Sequence, residues 1–125
     1  IVPKWYVDQK GDTITYTQAG HGMVVGDSVW TNAGVWTLAN PNVEAQLALG
    51  MISEVDGDDI SITFSGLANV DAHGFGVGLT YYINPAANGK PTTVKPTTTG
   101  DYIQVAFIPV DTDNLLVGDK LAILV

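Results

Sequence analysis

The chain has 125 residues, and only 14% of them are charged, well below the roughly 25% that is typical of soluble domains. The formal net charge is −8 and all five cations are lysines, which argues against binding to nucleic acid or to an anionic membrane. The chain contains no Cys, which excludes disulfides and thiolate metal sites, and its length suits one domain with a substantial core.

The N-terminal segment precedes the most recognisable part of the chain. Because the sequence begins at Ile1 rather than at Met, we expect it to come from a longer or processed protein. We expect residues 1–20 to be a leader strand or linker. Within it, residues 12–17 alternate Ile14 and Tyr16 with threonines, a period of two that predicts a half-buried strand.

A segment that begins at His21 recurs from His73. The first copy reads HGMVVGDSVW and the second HGFGVGLTYY, so that His, Gly, Val and Gly return at the same places. A second pair of segments, residues 50–60 and 106–115, matches as apolar strand, acidic turn and apolar strand. Matched segments in the same order indicate two similar β units. We place them at about 21–70 and 73–125, within a single β domain over 21–125.

The remaining segments also favour strands. Residues 43–49 are the one candidate for a helix, of about two turns, although a strand is equally compatible because the apolar pattern continues through Gly50. Pro91 and Pro96 bracket a Thr-rich piece that is typical of an edge strand or an extended arm. Residues 121–125 read LAILV, and such an apolar chain end requires cover from the core or from a neighbouring subunit.

These patterns together predict the fold class. Gly, Asn, Asp and Pro clusters interrupt the alternating runs every 8–12 residues or so, as in all-β domains. We therefore predict an all-β fold, a small β-sandwich or barrel of about eight to ten strands built from two similar β units.

The two histidines have a chemical and a structural interpretation. His21 and His73 would be metal ligands or catalytic bases in the first, and in the second each ring bonds to backbone in a repeated turn. No third ligand follows at a regular spacing, and no nucleophile motif surrounds either residue. We favour the structural interpretation and predict no catalytic residue and no metal ligand.

Two acidic turns, residues 56–59 and 111–114, supply the oxygen atoms that Ca²⁺ prefers. Neither has the spacing of an EF-hand, and Asx-rich hairpin turns explain both without a metal. Calcium is the alternative for these turns, and we predict no cofactor. No two acids stand out as the paired carboxylates of a glycoside hydrolase.

The aromatic residues are numerous for so small a β domain. Adjacent residues such as Tyr81 and Tyr82 point to opposite faces of a strand, so that one of them is exposed or lies at an interface. Exposed aromatic rings stack on sugars or fill subunit contacts, whereas core packing accounts for the majority of such rings. We select Trp36, Tyr81 and Tyr82 as candidate ligand-binding residues.

The order of the segments resembles that of a small β domain common in bacteriophage tail fibres and related virion proteins. The resemblance covers about residues 20–125 and depends on five segments in sequence. These are residues 21–30 with their Val-Gly-Asp turn, 35–40, 50–59, Ser65 with Gly66, and 78–85, which read GLTYYINP.

The resemblance implies a homotrimer located on the exposed surface of a virion. It implies a non-enzymatic structural and host-recognition domain of a phage tail fibre that binds a host surface glycan or protein. The expected partners are further copies of the chain and a host cell-surface receptor, with no nucleic acid and no membrane. A capsid decoration or other structural virion module is the alternative, and a glycan-degrading enzyme domain ranks below it.

Overall fold

The computed structural model describes residues 12–118 and 121–125, so that most of the expected leader lies outside the described residues. The fold is all-β, with two antiparallel sheets that pack as a sandwich, which confirms the predicted class. The described residues contain eleven strands, one above the upper end of the predicted eight to ten, and one 3-10 helix, Glu44–Gln46.

The first sheet contains five strands. They are β1 (Thr13–Thr17), β2 (Ser28–Asn32), β3 (Val35–Leu38), β4 (Gly50–Asp56) and β5 (Asp59–Thr63). Their spatial order is β1-β5-β4-β2-β3, and all neighbours are antiparallel. The central strand β4 is buried along its first four residues, whereas β1 is largely exposed.

The second sheet repeats this arrangement. Its strands are β6 (Gly66–Asn69), β7 (Tyr81–Ile83), β8 (Pro91–Thr92), β9 (Tyr102–Pro109) and β10 (Asn114–Val117), in the order β6-β10-β9-β7-β8. A final strand, β11 (Ala122–Leu124), pairs with the first residues of β9. Adding five to each strand number of the first sheet gives the second, so the repeat seen in the sequence is also a repeat of topology.

The strand pairing moves the boundary between the two units. β1 pairs with β5, and β6 pairs with β10, so each unit begins with a strand that precedes its histidine. The units therefore run from about 13 to 63 and from about 66 to 117, earlier than the halves 21–70 and 73–125. The sequence match missed these strands because β1 (TITYT) and β6 (GLAN) have no residue type in common. They are equivalent because each pairs with the last strand of the main sheet of its unit.

The described residues form two buried apolar clusters, of which one lies within the first unit and the other takes residues from both units. The first contains Met23, Val29, Trp36, Ile52, Ile60 and Ile62. The second contains Ala39, Ala48, Met51, Ala68, Ile83, Ala106, Phe107, Leu115 and Val117. Met51 and Ile52 are adjacent on β4 and enter different clusters, because successive strand residues point to opposite faces. Burying side chains of this size stabilises the fold by about 1.5–3 kcal/mol each, and β4 contributes to both cores.

Polar contacts also join the two units. Gln104, which is buried on β9, accepts a bond from the Ala48 backbone N–H and donates one to the Ala48 carbonyl, both at 2.9 Å. These two bonds satisfy the backbone groups of Ala48. Ala48 belongs to residues 43–49, the predicted helix or strand, and this segment is mostly irregular apart from the 3-10 helix. Gly89 of the second unit accepts a bond from the Ser28 N–H and donates one to the Ala39 carbonyl. The loop before β8 therefore inserts beside β2 of the first unit.

The local turn chemistry follows the sequence. β2 and β3 are joined by Ala33 and Gly34, whose φ angles are 50° and 86°, the left-handed conformation that a tight two-residue hairpin requires. Pro91 lies in β8 at the edge of its sheet, as predicted from its missing donor.

Candidate functional site

Both histidines bond to backbone in the same way. Nδ1 of His21 accepts a hydrogen bond from the Met23 N–H at 2.9 Å, and its Nε2 lies 2.8 Å from the Gly57 carbonyl oxygen. Nδ1 of His73 accepts from the Phe75 N–H at 2.9 Å, and its Nε2 lies 2.6 Å from the Asp111 carbonyl. An accepting Nδ1 and a donating Nε2 define one neutral tautomer in both units.

These bonds attach the segment before β2, or before β7, to the acidic turn that ends the central strand of the same unit. The contacts of His21 and His73 are those of the structural interpretation, in which each ring bonds to backbone in a repeated turn. Within residues 12–118 and 121–125, no three His, Asp or Glu side chains are grouped closely enough to hold a metal ion.

The acidic turns close the two central hairpins. In the second, the Asp111 carboxylate accepts the Asp113 N–H at 2.9 Å and the Asn114 side-chain amide at 3.0 and 3.1 Å. The Asp113 bond first, and then the Asn114 bond, lower the pKa of Asp111 below its ordinary value, because both favour the ionised form. In the first turn, Asp59 accepts a bond from the Thr17 hydroxyl at 2.6 Å.

The three aromatic residues chosen as ligand candidates do not form one surface. Trp36 is only 8% exposed and packs between Tyr16 and Phe64, with ring centroids 5.1 and 6.0 Å away. Tyr81 stacks on Phe107 at 5.0 Å in the other cluster. Tyr82 is half-buried. Trp36 and Tyr81 therefore serve the packing of different units, a distinction that strand alternation alone cannot make.

A groove with hydroxyl, amide and apolar groups in its lining lies between the two sheets and was not predicted. It has a volume of about 520 Å³, and residues of β1, β4, β5, β6 and β10 line it. On the side of the first sheet the lining is rich in hydroxyls, and Glu54 adds a carboxylate. On the side of the second sheet it consists of Leu67, Ala68 and two asparagines, Asn69 and Asn114.

The hydroxyls on the first wall form a chain. Thr63 donates to Ser53 Oγ at 2.9 Å, and Ser53 donates to the Ser61 carbonyl at 3.3 Å. Thr13 and Thr63 Oγ atoms are 2.8 Å apart, and since the Thr63 proton is used on Ser53, Thr13 donates to Thr63. The alternation of threonine and serine along β1 and β5 is the sequence signal that could have indicated this wall.

The C-terminal strand carries an exposed apolar row. β11 pairs with β9 through Ile123 and Ile103, yet Ile123 is 65% exposed. Leu121 and Leu124 beside it are also exposed. The rest of residues 12–118 and 121–125 does not cover this row, and cover by a neighbouring subunit stays an expectation.

Comparison with known proteins adds no relative: no family model matches the chain, and no curated protein matches it. Among the described residues, no helix has the length and apolar character needed to cross a membrane.

Proposed function

We propose that the chain is a structural and host-recognition domain of a phage tail fibre, without enzymatic activity, that forms homotrimers on the virion and binds a host surface glycan or protein. The observation that carries this proposal is the apolar row of β11. Ile123 and Leu124 are exposed on β11, and Leu121 is exposed directly before it. Exposed apolar groups on an edge strand are typical of contacts with another chain.

The use of the polar side chains supports a structural role. His21 and His73 are held by two backbone bonds each, and Asp111 by the turn that contains it. The two copies of the β unit are held by the same histidine–backbone bonds. They form a rigid scaffold whose surface is free for recognition. The order of segments shared with tail-fibre domains agrees with this role.

Light scattering after size-exclusion chromatography tests the trimer. The chain has a mass of 13.2 kDa, and we expect a species of three times that mass at micromolar concentration. Ile123→Asp should reduce this mass, because a carboxylate in an apolar contact is costly to desolvate. The matched control is Val94→Asp, since Val94 is 71% exposed but lies far from β11 in the sequence. A monomeric wild-type chain would contradict the trimer.

Cell binding and microscopy test the biological role. The fluorescently labelled chain should bind some members of a panel of bacterial strains, and absence of binding to every strain would count against host recognition. Immunogold labelling of the parent virion should mark the tail. Labelling of the capsid would instead support the decoration module.

A further inference from the structure

We propose that the groove between the two sheets binds a neutral oligosaccharide. This inference rests on the proposed role in host recognition and assigns that role a site and a class of ligand. The groove has a volume of about 520 Å³, within the range of roughly 300–1,000 Å³ found for small-molecule sites.

The first wall presents ordered hydroxyls. Thr63 is fully buried and Ser53 is 9% exposed, so their hydroxyls do not meet a ligand themselves. Their chain instead holds the hydroxyl of the exposed Thr13 in place before a ligand arrives. Ser61 Oγ, which also lines the groove, lies 2.9 Å from Thr15 Oγ. Neutral groups that both donate and accept match the hydroxyls of a sugar, which have the same two capacities.

The second wall presents amides in fixed orientations. The ionised Asp111 holds the Asn114 amide through both of its oxygens, and Asn69 donates to the Asp113 carbonyl at 3.3 Å and to Asn114 Oδ1 at 3.4 Å. Among the described residues, no group donates a hydrogen bond to Asn69 Oδ1. This oxygen is therefore an acceptor that a ligand hydroxyl can use. Fixed amides give a site orientation and specificity.

The charge and the apolar part of the lining narrow the ligand class. Glu54 is the charged residue of the groove, it is exposed, and the whole chain carries −8. Anionic saccharides are therefore repelled, whereas two neighbouring sugar hydroxyls can donate to one carboxylate in charge-assisted bonds. Exposed Leu67 offers an apolar surface to the C–H face of a sugar ring. A neutral oligosaccharide satisfies all of these features.

An array of immobilised oligosaccharides tests the class. The probes are neutral chains of hexoses and N-acetylhexosamines, with sialylated and phosphorylated versions of the same chains. We expect binding to neutral members and loss of binding when the negative groups are added. Absence of binding to every neutral probe at millimolar concentration, or a preference for anionic probes, would overturn the proposal.

Variants of the groove test the site, with the strongest neutral probe measured by calorimetry. Glu54→Gln should weaken binding about tenfold or more, since it removes bonds to a charged acceptor. Glu44→Gln is the matched control because Glu44 is exposed on the 3-10 helix and does not line the groove. In an NMR titration, the side-chain amide signals of Asn69 and Asn114 should shift. Unchanged affinity in Glu54→Gln, with unmoved amide signals, would contradict the groove as the site.

Cell binding separates this inference from the proposed function. If the wild-type chain and Glu54→Gln bind host cells equally well, the groove assignment is wrong and host recognition stands. If Glu54→Gln loses binding to the neutral probe while the wild-type chain binds no strain, the groove is right and the proposed host-recognition role is wrong.

Discussion

The ammonium group of Lys90 lies 2.8 Å from one carboxylate oxygen of Asp27 and 3.1 Å from the other. Asp27 is 1% exposed and also accepts the Val24 N–H at 3.0 Å, whereas the Lys90 side chain is 42% exposed. Lys90 belongs to the second unit and Asp27 to the first. This ion pair therefore joins the two units at the point where the loop before β8 inserts.

Removing the cation should destabilise the protein. Lys90→Met leaves Asp27 buried without its counter-charge, and loss of one partner of a fully buried pair costs about 3–5 kcal/mol. Because Lys90 is partly exposed, we expect a smaller decrease, about 2 kcal/mol, in the free energy of unfolding, measured with urea. Lys95→Met, at an exposed position, is the control and should have no effect. Equal effects of the two substitutions would show that the ion pair contributes nothing.

The two histidines should contribute to stability independently. His21→Ala and His73→Ala each remove two hydrogen bonds to backbone, and we expect each to lower the free energy of unfolding by about 1–2 kcal/mol. The two sites lie in different units, so the effects should add in the double variant. A zinc-dependent rise in Tm that either substitution abolishes would contradict the structural role.

Gly89 should tolerate no side chain. Its φ angle is 72°, and a Cβ there would lie 2.8 Å from the Ser28 carbonyl oxygen and from a Leu38 methyl group. Gly34 has a φ angle of 86° but open space around it, which makes Gly34→Ala the control for backbone strain alone. We expect Gly34→Ala to cost about 1 kcal/mol and Gly89→Ala about 3 kcal/mol or more. Thermal unfolding of the two variants measures the difference, and similar Tm values would contradict the close packing of this loop.

The acidic turn of the second unit should depend on pH. The pKa of Asp111 is lowered from 3.8, first by the Asp113 N–H and then by the Asn114 amide. The ionised form therefore contributes stability that is present above the unfolded pKa and is lost as the pH falls through the lower folded value. An NMR titration should give a midpoint below 3.8 for the Asp111 carboxyl. Asp111→Asn should be less stable than wild type at pH 7, with a difference that shrinks in acid; a midpoint at or above 3.8 would refute this.

Two buried serines should respond in opposite directions. Ser28 is fully buried and its Oγ has no hydrogen-bond partner among the described residues, whereas Ser53 Oγ both accepts from Thr63 and donates to Ser61. Ser28→Ala removes an unpaired polar group and should raise the free energy of unfolding by about 1 kcal/mol. Ser53→Ala leaves Thr63 without its acceptor and should lower it by a similar amount. If Ser28→Ala lowered the free energy of unfolding as much as Ser53→Ala does, Ser28 Oγ would have a hydrogen-bond partner after all.

The all-β class, the repeat and the structural use of the histidines could all be predicted from the sequence. Each depends on local information: alternation with a period of two, turn residues at short intervals, and a motif whose ring bonds to an N–H two residues away. The confirmed edge position of Pro91 has the same origin, because a missing donor is a property of one residue.

Other features depend on which distant strands pair and pack. β1 and β6 have no residue type in common, so only their pairing with β5 and β10 shows that each begins a unit. Alternation shows that Trp36 lies on one face of a strand, and the packing of Tyr16 and Phe64 decides that this face is inside. The groove brings Thr13, Glu54, Asn69 and Asn114 together across two sheets. Local sequence determined what each strand is, whereas the long-range burial of apolar faces decided which surfaces remain exposed.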